Sequence, residues 1–578
     1  MCPQVPQVTL LAAVALFATV AAGCDTSARV KPWRHAPDPT AEAARAPGSP
    51  QLAESGTPEA DQRAARAHTV RIDVDSEPGR LTALASPSVW ARRITLGTIF
   101  EPLLRYQPPD GANPAGTYAA RLARSWQVMP GGMEIRIELE PEATFSDGQA
   151  LTTSDVQFTL DAIRDPHNRI DHLRPLLEDV EAIELITSRQ VRLRMKRPSA
   201  WALRALAEIP ILPMHVYNEG LLGGGQLVGS GPWKLASNKN GVVHLSRNEK
   251  YWGGAVPIAD LEFIYQPDAA EAITAAKRGE LDIIPALIPA HYPGQATSPA
   301  IAAAFVPFDL APPRLHVFAW NASRAPLDDA SVRHALSLLV DRKAIAKDAF
   351  HTLARPALWP IWPGGLVNGP ESPVPELDPA GAGKLLEAAG WTDHDKDNVR
   401  DRDGKQLRVV LVGLEHPAKP DANPKLHTSA RDAFVDAARK AGVIVEVKTG
   451  SEAWLQKRIA DGQYDIVEET WGGMVDSDVS ALVAGSPPRA GATGADAKPP
   501  VRATSPRVER ALDALAAAWD PAERARLAPE LAAALAETWP AAGIVAEAPH
   551  GLISRRLTGV HTWDGWLDLS ALRFTATP

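Results

Sequence analysis

Phe145-Ser-Asp-Gly-Gln-Ala-Leu-Thr-Thr-Ser-Asp-Val-Gln-Phe-Thr-Leu160 is the stretch from which the fold is read. Asp147-Gly148 is a turn dipeptide, and Thr152-x-x-Asp155 has the spacing of a capping box at a helix start. Val156, Leu160 and Ile163 then share one helical face. Asp165-Pro166 ends the helix, because the residue before a proline is pushed out of the α region. Taken alone, this is a strand-turn-helix unit of a kind many folds contain.

Outward from this stretch, Val70 to Val74 reads as a strand. Ile135 to Leu139 and Val191 to Met195 alternate apolar with polar, as half-buried antiparallel strands do. Val242 to Leu245 and Leu261 to Tyr265 are further strands. Ala269 to Arg278 is a helix closed by Gly279, ahead of a short buried strand, Leu281 to Ile284. In the second half, helices are expected from Asp378-Pro379 to Gly390, from Ser429 to Ala441 and from Glu452 to Asp461. Strands at Leu407 to Leu414, Val443 to Val447 and Tyr464 to Val467 separate them. This alternation predicts right-handed crossovers and a mainly parallel sheet. Pro487 to Pro506, rich in Ala, Pro and Gly, reads as a surface insertion before two helices, about Pro506 to Trp519 and Pro521 to Glu537.

A chain of 578 residues is too long for one core, so two or three domains are expected. With 45% apolar and 22% charged residues it has the composition of an ordinary globular protein. The net charge of -9 gives no basic footprint for nucleic acid.

Several more segments stand in a recognisable order: Glu101-Pro-Leu-Leu-Arg-Tyr106, Leu122-Ala-Arg-Ser-Trp126, Gly229-Ser-Gly-Pro-Trp233, Arg247-Asn-Glu-Lys-Tyr-Trp-Gly-Gly254, Asp328 to Arg342 and Asp378 to Trp391. With Phe145 to Leu160 they make the chain resemble the family 5 extracytoplasmic solute-binding proteins, the dipeptide, oligopeptide and nickel receptors of ABC importers. The resemblance covers most of residues 68 to 560. It implies an α/β, two-lobed periplasmic-binding-protein-like fold of type II. An N-terminal lobe would span 68–312 with 546–578 and carry an inserted subdomain at about 105–225, and a C-terminal lobe would span 313–545. It also implies a monomer without cofactor that closes over a peptide or other small solute and presents it to ABC permease subunits.

Val8 to Gly23 is an apolar run of signal-peptide length. It ends Val20-Ala-Ala-Gly-Cys24, which resembles a lipoprotein processing site with Cys24 as the acylated residue, although Met1 to Gln7 lacks a basic side chain. Cys2 and Cys24 are the only cysteines. Processing would leave one, with no disulfide and no thiolate metal site. Asp25 resembles an inner-membrane retention signal, relevant where a cell has an outer membrane. The expected place is therefore the periplasm or the outer face of the cytoplasmic membrane, with residues 25–67 as a flexible Ala- and Pro-rich tether reaching roughly 35–40 Å.

In open α/β sheets, ligands sit beyond the carboxyl ends of the strands. The segment after Tyr464 to Val467, Glu468-Glu-Thr-Trp-Gly-Gly-Met-Val-Asp-Ser-Asp478, is therefore the first candidate site. Gly472 and Gly473 allow close approach and Trp471 offers a flat face, whereas a solvated acidic loop beside a core Trp is the alternative. The resemblance implies a Trp-x-x-Asp here whose Asp pairs with a peptide α-ammonium, and Met474 occupies that position. Asp476 or Asp478 would replace it from the next turn, or Met474 would line an apolar pocket. The resemblance also implies a carboxylate-binding cation near Lys419, which otherwise is a surface lysine. Leu315 to Asn321 resembles the strand that crosses between lobes, delivering Trp320 and Asn321 to the cleft unless Trp320 is buried between the lobes.

Other readings stay open. Sixteen tryptophans against seven tyrosines would suit an oligosaccharide. A sensor or adaptor lipoprotein without transport, or an exported hydrolase, would fit the same export signals, although no enzyme motif stands out. Asp393 to Gly404 has the one-three-five acidic spacing of a calcium loop. Asn398 replaces its central Gly and Gly404 its bidentate Glu, so it reads better as an acidic connector. His416 and His427 have no partner at metal-ligand spacing.

Overall fold

The computed structural model describes residues 68–84, 88–107, 117–170, 172–221, 227–310, 314–358, 374–415, 424–472, 505–547, 550–563 and 566–575. The Thr153–Arg164 helix begins as its sequence demands. Asp155 Oδ2 accepts from the Thr152 backbone N–H at 2.8 Å and from its hydroxyl at 2.9 Å, and the helix stops at Asp165. Val156, Leu160 and Ile163 are fully buried, each stabilising by roughly 1.5–3 kcal/mol.

Three sheets organise the described residues. Ala123–Val128, Glu134–Leu139, Gln190–Met195 and Val180–Leu185 form an antiparallel sheet of four strands. A seven-stranded sheet runs in the order Phe305–Asp309, His550–Ser554, Ile283–Ile284, Thr69–Val74, Asp260–Tyr265, Val242–Arg247, Trp233–Lys239. Its Thr69–Val74 strand is parallel to both neighbours, and the remaining pairings are antiparallel. Glu101, wholly buried, joins the chain before the four-stranded sheet to this region. It meets Arg121 Nη2 at 2.5 Å, Tyr251 O–H at 2.7 Å and Trp252 Nε1–H at 3.0 Å, so its charge is matched on every side.

The third sheet runs Arg355–Pro356, Ala541–Glu547, Arg314–Trp320, Ile466–Gly472, Arg408–Leu414, Ile444–Gly450. The last three strands are mutually parallel, as the helix-strand alternation predicts. The sheet as a whole is not mainly parallel, because its other three pairings are antiparallel. Arg314–Trp320 enters from the seven-stranded sheet rather than through a crossover helix, and so runs against its neighbours. The chain passes from one sheet to the other between Asp309 and Arg314, and returns between Glu547 and His550. The seven-stranded and the six-stranded sheet have separate cores. One gathers Val70, Ile72, Leu261 and Phe263, and the other Phe318, Leu411, Phe434 and Ile466.

Helix ends fall near the expected breakers. Asp378 caps Pro379–Ala388, accepting from Gly381 N–H at 2.7 Å, and Gly390 follows with φ +83°. The Pro424–Lys440 helix starts five residues earlier than its pattern suggests. Among the described residues no helix is long and apolar enough to cross a membrane.

Candidate functional site

The three parallel strands of the six-stranded sheet end on one side, and the register carries other groups to the same edge. Gly472 lies opposite Arg314, and Arg314 opposite Glu547. Along one face of this sheet, side chains two residues apart line up. Ile466 and Phe318 belong to the apolar core, whereas Glu468, Thr470 and His316, further toward the carboxyl edge, replace it with a polar layer.

Two arrangements fill that layer. Arg431, from the Pro424–Lys440 helix, places Nη2 2.5 Å from Glu468 Oε2 and donates to Leu414 O at 2.9 Å. A side chain at Gly413 would overlap the guanidinium, so the glycine makes room for it. Among the described residues, Arg431 Nε has no hydrogen-bond partner. Beside this pair, His316 Nδ1 lies 2.9 Å from Thr470 Oγ1 and Nε2 lies 3.2 Å from Glu547 Oε2. The network is satisfied when Nε2–H donates to the carboxylate and the Thr470 hydroxyl donates to Nδ1. Burial pushes the Glu547 carboxyl upward. His316, with Arg314 and His550 nearby, more than offsets this and holds it below the usual range.

Where the chain returns to the seven-stranded sheet, His550 Nδ1 lies 2.5 Å from Asp309 Oδ1 and Nε2 lies 3.2 Å from Leu353 O. Leu353 follows the Arg342–Phe350 helix, so this contact joins the two sheets' structures. The Asp309 carboxylate raises the His550 pKa. Near the carboxyl end of Thr69–Val74, Asp73 is buried with Oδ1 unpartnered among the described residues. Burial, then the charge of Asp75, pushes its carboxyl up to about 8.

Glu468 and Thr470 fall within the segment nominated from sequence, the other groups were not singled out, and the structure rearranges the residues that were. Trp471 and Gly472 are not in a loop: the strand expected to end at Val467 starts at Ile466 and runs to Gly472, with Trp471 opposite Leu315. Trp320 and Asn321 are not delivered to this edge. Trp320 pairs with Ile466, six residues along the strand from Gly472 and roughly 20 Å away at a strand's rise. Trp320 is fully buried in the core, and Asn321 is a local brace. Asn321 Nδ2 donates to Tyr464 O at 3.0 Å, and its Oδ1 accepts from the Ser323 hydroxyl at 2.7 Å. Gly473, Met474, Asp476, Asp478, Lys419, His416 and Cys24 lie outside the described residues, as does most of the Pro487 to Pro506 stretch.

The acidic connector does gather Asp393, Asp395 and Asp397, whose carboxylates lie within 4.8 Å of one another and are exposed. Their oxygens accept backbone N–H groups of Asp397, Asn398 and Val399, which suffices to shape the turn.

The family described as "Bacterial extracellular solute-binding proteins, family 5 Middle" matches residues 117–490. The nickel-binding periplasmic protein of Escherichia coli K12 is 25% identical over 390 residues, covering 65% of this chain and 71% of that protein. The oligopeptide-binding protein AppA of Bacillus subtilis is 24% identical over 345 residues, covering 58% of this chain and 61% of AppA. The crystal structure of NikZ from Campylobacter jejuni in complex with Ni(L-His) superposes with a TM-score of 0.69 at 21% identity. That superposition covers 88% of this chain and 99% of that one.

Proposed function

Because this chain belongs to the bacterial extracellular solute-binding proteins of family 5, we propose that it captures a solute between two lobes and delivers it to the permease of an ABC importer. The observation that carries this reading is the buried polar layer, Arg431–Glu468 beside His316–Glu547, at the carboxyl edge of the parallel strands. Burying charge there costs stability that an apolar core would not lose, so a polar layer at the ligand edge of a sheet reads as a recognition surface. The lobes are 68–312 with 546–578, and 313–545, each built around one large sheet, with Ala546 and Glu547 ending a strand of the second.

The solute is a peptide or similar oligomer, consistent with relatives named for oligopeptide and di- or tripeptide binding. The residues proposed to contact it are Trp471, Gly472, Gly473 and Asp476, with Lys419 as the cation for a carboxylate. A non-peptide solute such as a metal chelate is the second reading. Met474, where a peptide receptor's amine-binding Asp is expected, favours it, as does the relative named for nickel. The protein acts outside the cytoplasm, as the family's description states, and Cys24 is its lipid attachment. Cys24→Ser should release it from membranes, and unchanged membrane retention would rule that anchor out.

The test is thermal unfolding of the full chain against separate pools of short peptides, oligosaccharides and nickel-histidine chelates. A ligand at about 100 times its Kd adds ~2.7 kcal/mol, a readable rise in Tm. A rise with peptides supports the first reading and one with chelates the second. A Tm unmoved by all three counts against solute capture.

A further inference from the structure

We propose that the helical pair Pro506–Ala517 and Pro521–Thr538 is a latch that fastens the two lobes together without any solute. This rests on the two-lobe reading above, and adds to it a regulator of opening. The pair is anchored at one end to the six-stranded sheet's lobe. Arg333 Nε–H donates to Thr538 O at 2.9 Å, and the His334 ring stacks on Trp539 at 4.0 Å. Thr538 leads directly into the Ala541–Glu547 strand. The helix from Pro521 has 18 residues, so its far end stands about 27 Å from that anchor.

At that far end the pair meets the lobe carrying the four-stranded sheet. The Ala200 backbone N–H donates to Ala516 O at 2.7 Å. Ala516 is in the last turn of its helix, where carbonyls lack helical partners, and Ala200 is the N-cap of the Trp201–Glu208 helix, which has no side-chain cap. The negative end of one helix thus faces the positive end of the other. Next to this junction Trp519 lies against Gly132 and packs on the core shared by the four- and seven-stranded sheets. Gly132 has φ +68°, and a Cβ there would overlap both the indole and Pro198. Arg197, 3.7 Å from Asp513, adds an exposed pair worth little by itself.

None of these contacts involves the polar layer, so none of them needs a ligand to form. Among the described strands, the chain passes between the two sheets after Asp309 and after Glu547. A rotation about those links that parts the lobes on this side breaks the Ala200–Ala516 junction and withdraws Trp519. A receptor so fastened rests closed, and solute exchange is limited by unlatching.

The test introduces Ala200→Cys and Ala516→Cys together in the full chain and follows their oxidation without added solute, locating the disulfide by peptide mass because Cys2 and Cys24 are also present. The 2.7 Å contact brings these residues within disulfide range, about 4.4–6.8 Å between Cα atoms. Rapid, near-complete cross-linking is expected. Adding Trp519→Ala should slow it about 10-fold, the factor that ~1.4 kcal/mol makes in an equilibrium. Trp519 is not part of the helical pair's own core of Val508, Leu515, Leu531 and Leu535, so the pair itself should keep its fold. Gly132→Ala, which pushes the indole away from the opposite side, should slow cross-linking likewise. Slow cross-linking in the parent pair, or a rate indifferent to both variants, overturns the latch. Because no ligand enters the experiment, it can fail while solute capture stands.

Discussion

Arg431 Nη2 lies 2.5 Å from Glu468 Oε2, with the two side chains 9% and 3% exposed, at the carboxyl edge of the parallel strands. Removing Glu468 takes the carboxylate from a buried guanidinium, and removing Arg431 takes the guanidinium from a buried carboxylate. Arg431→Ala or Glu468→Ala should therefore cost ~3–5 kcal/mol in urea unfolding. The apolar double variant Arg431→Met with Glu468→Leu should recover much of that loss while still failing to bind solute. A double variant that binds as the parent does would reduce the pair to a structural element.

Asp73 makes stability fall as pH rises. Its folded pKa of about 8 stands above the 3.8 expected for the unfolded chain. The folded state thus keeps a proton that the unfolded state releases, and its contribution is full below about pH 4 and lost as pH rises through about 8. The slope approaches ~1.4 kcal/mol per pH unit between those limits. Asp73→Asn should gain stability relative to the parent steadily from pH 5 to pH 8, and a difference independent of pH would contradict the assignment.

Arg342 is 2% exposed and meets backbone carbonyls: Ala357 O at 3.0 Å, Gly543 O at 2.8 Å, Ser337 O at 3.1 Å and Val340 O at 3.3 Å, with Ser337 Oγ at 3.0 Å. Burial lowers its pKa to about 10, which still leaves it charged at neutral pH. Arg342→Met should cost at least ~3 kcal/mol, because several buried acceptors lose their donor. Lys is a point donor and should not rescue it. A urea midpoint within error of the parent would refute this.

Trp471→Ala should weaken binding of whichever pool raises Tm, by ~10-fold or more, the effect of losing one aromatic face worth about 1.4 kcal/mol. The fold should survive, since the strand's pairing with Arg314–Trp320 is made by backbone groups. Unchanged affinity would remove this strand end from the site.

Local chemistry made much of the fold legible. The Thr152–Asp155 start, the Asp378-Pro379 cap, and Gly279, Gly390 and Gly442 after their helices lie where residue-by-residue preferences put them, and the glycines adopt φ of +70°, +83° and +78°. Much of the site was not legible in this way. Glu468, Thr470 and His316 do share the two-residue period of the buried Ile466 and Phe318, a signal available in the sequence. Arg431, three residues before Phe434 on its helix, looks like any surface arginine until the helix is docked on the sheet.

Caps, turns and the alternation of strand and helix belong to the sequence itself, because each depends on neighbours within a few residues and on backbone preferences that travel with the residue. Strand direction and register depend on partners more than a hundred residues away. Only the folded chain decided that Arg314–Trp320 runs antiparallel to Ile466–Gly472, that Trp471 lies opposite Leu315, and that Trp320 points its bulk into a core at the other end. A shift of register changes no local preference, yet it moves every side chain along the sheet. The buried charges of the site are a tertiary outcome for the same reason: an ion pair exists only once two distant elements have been packed together.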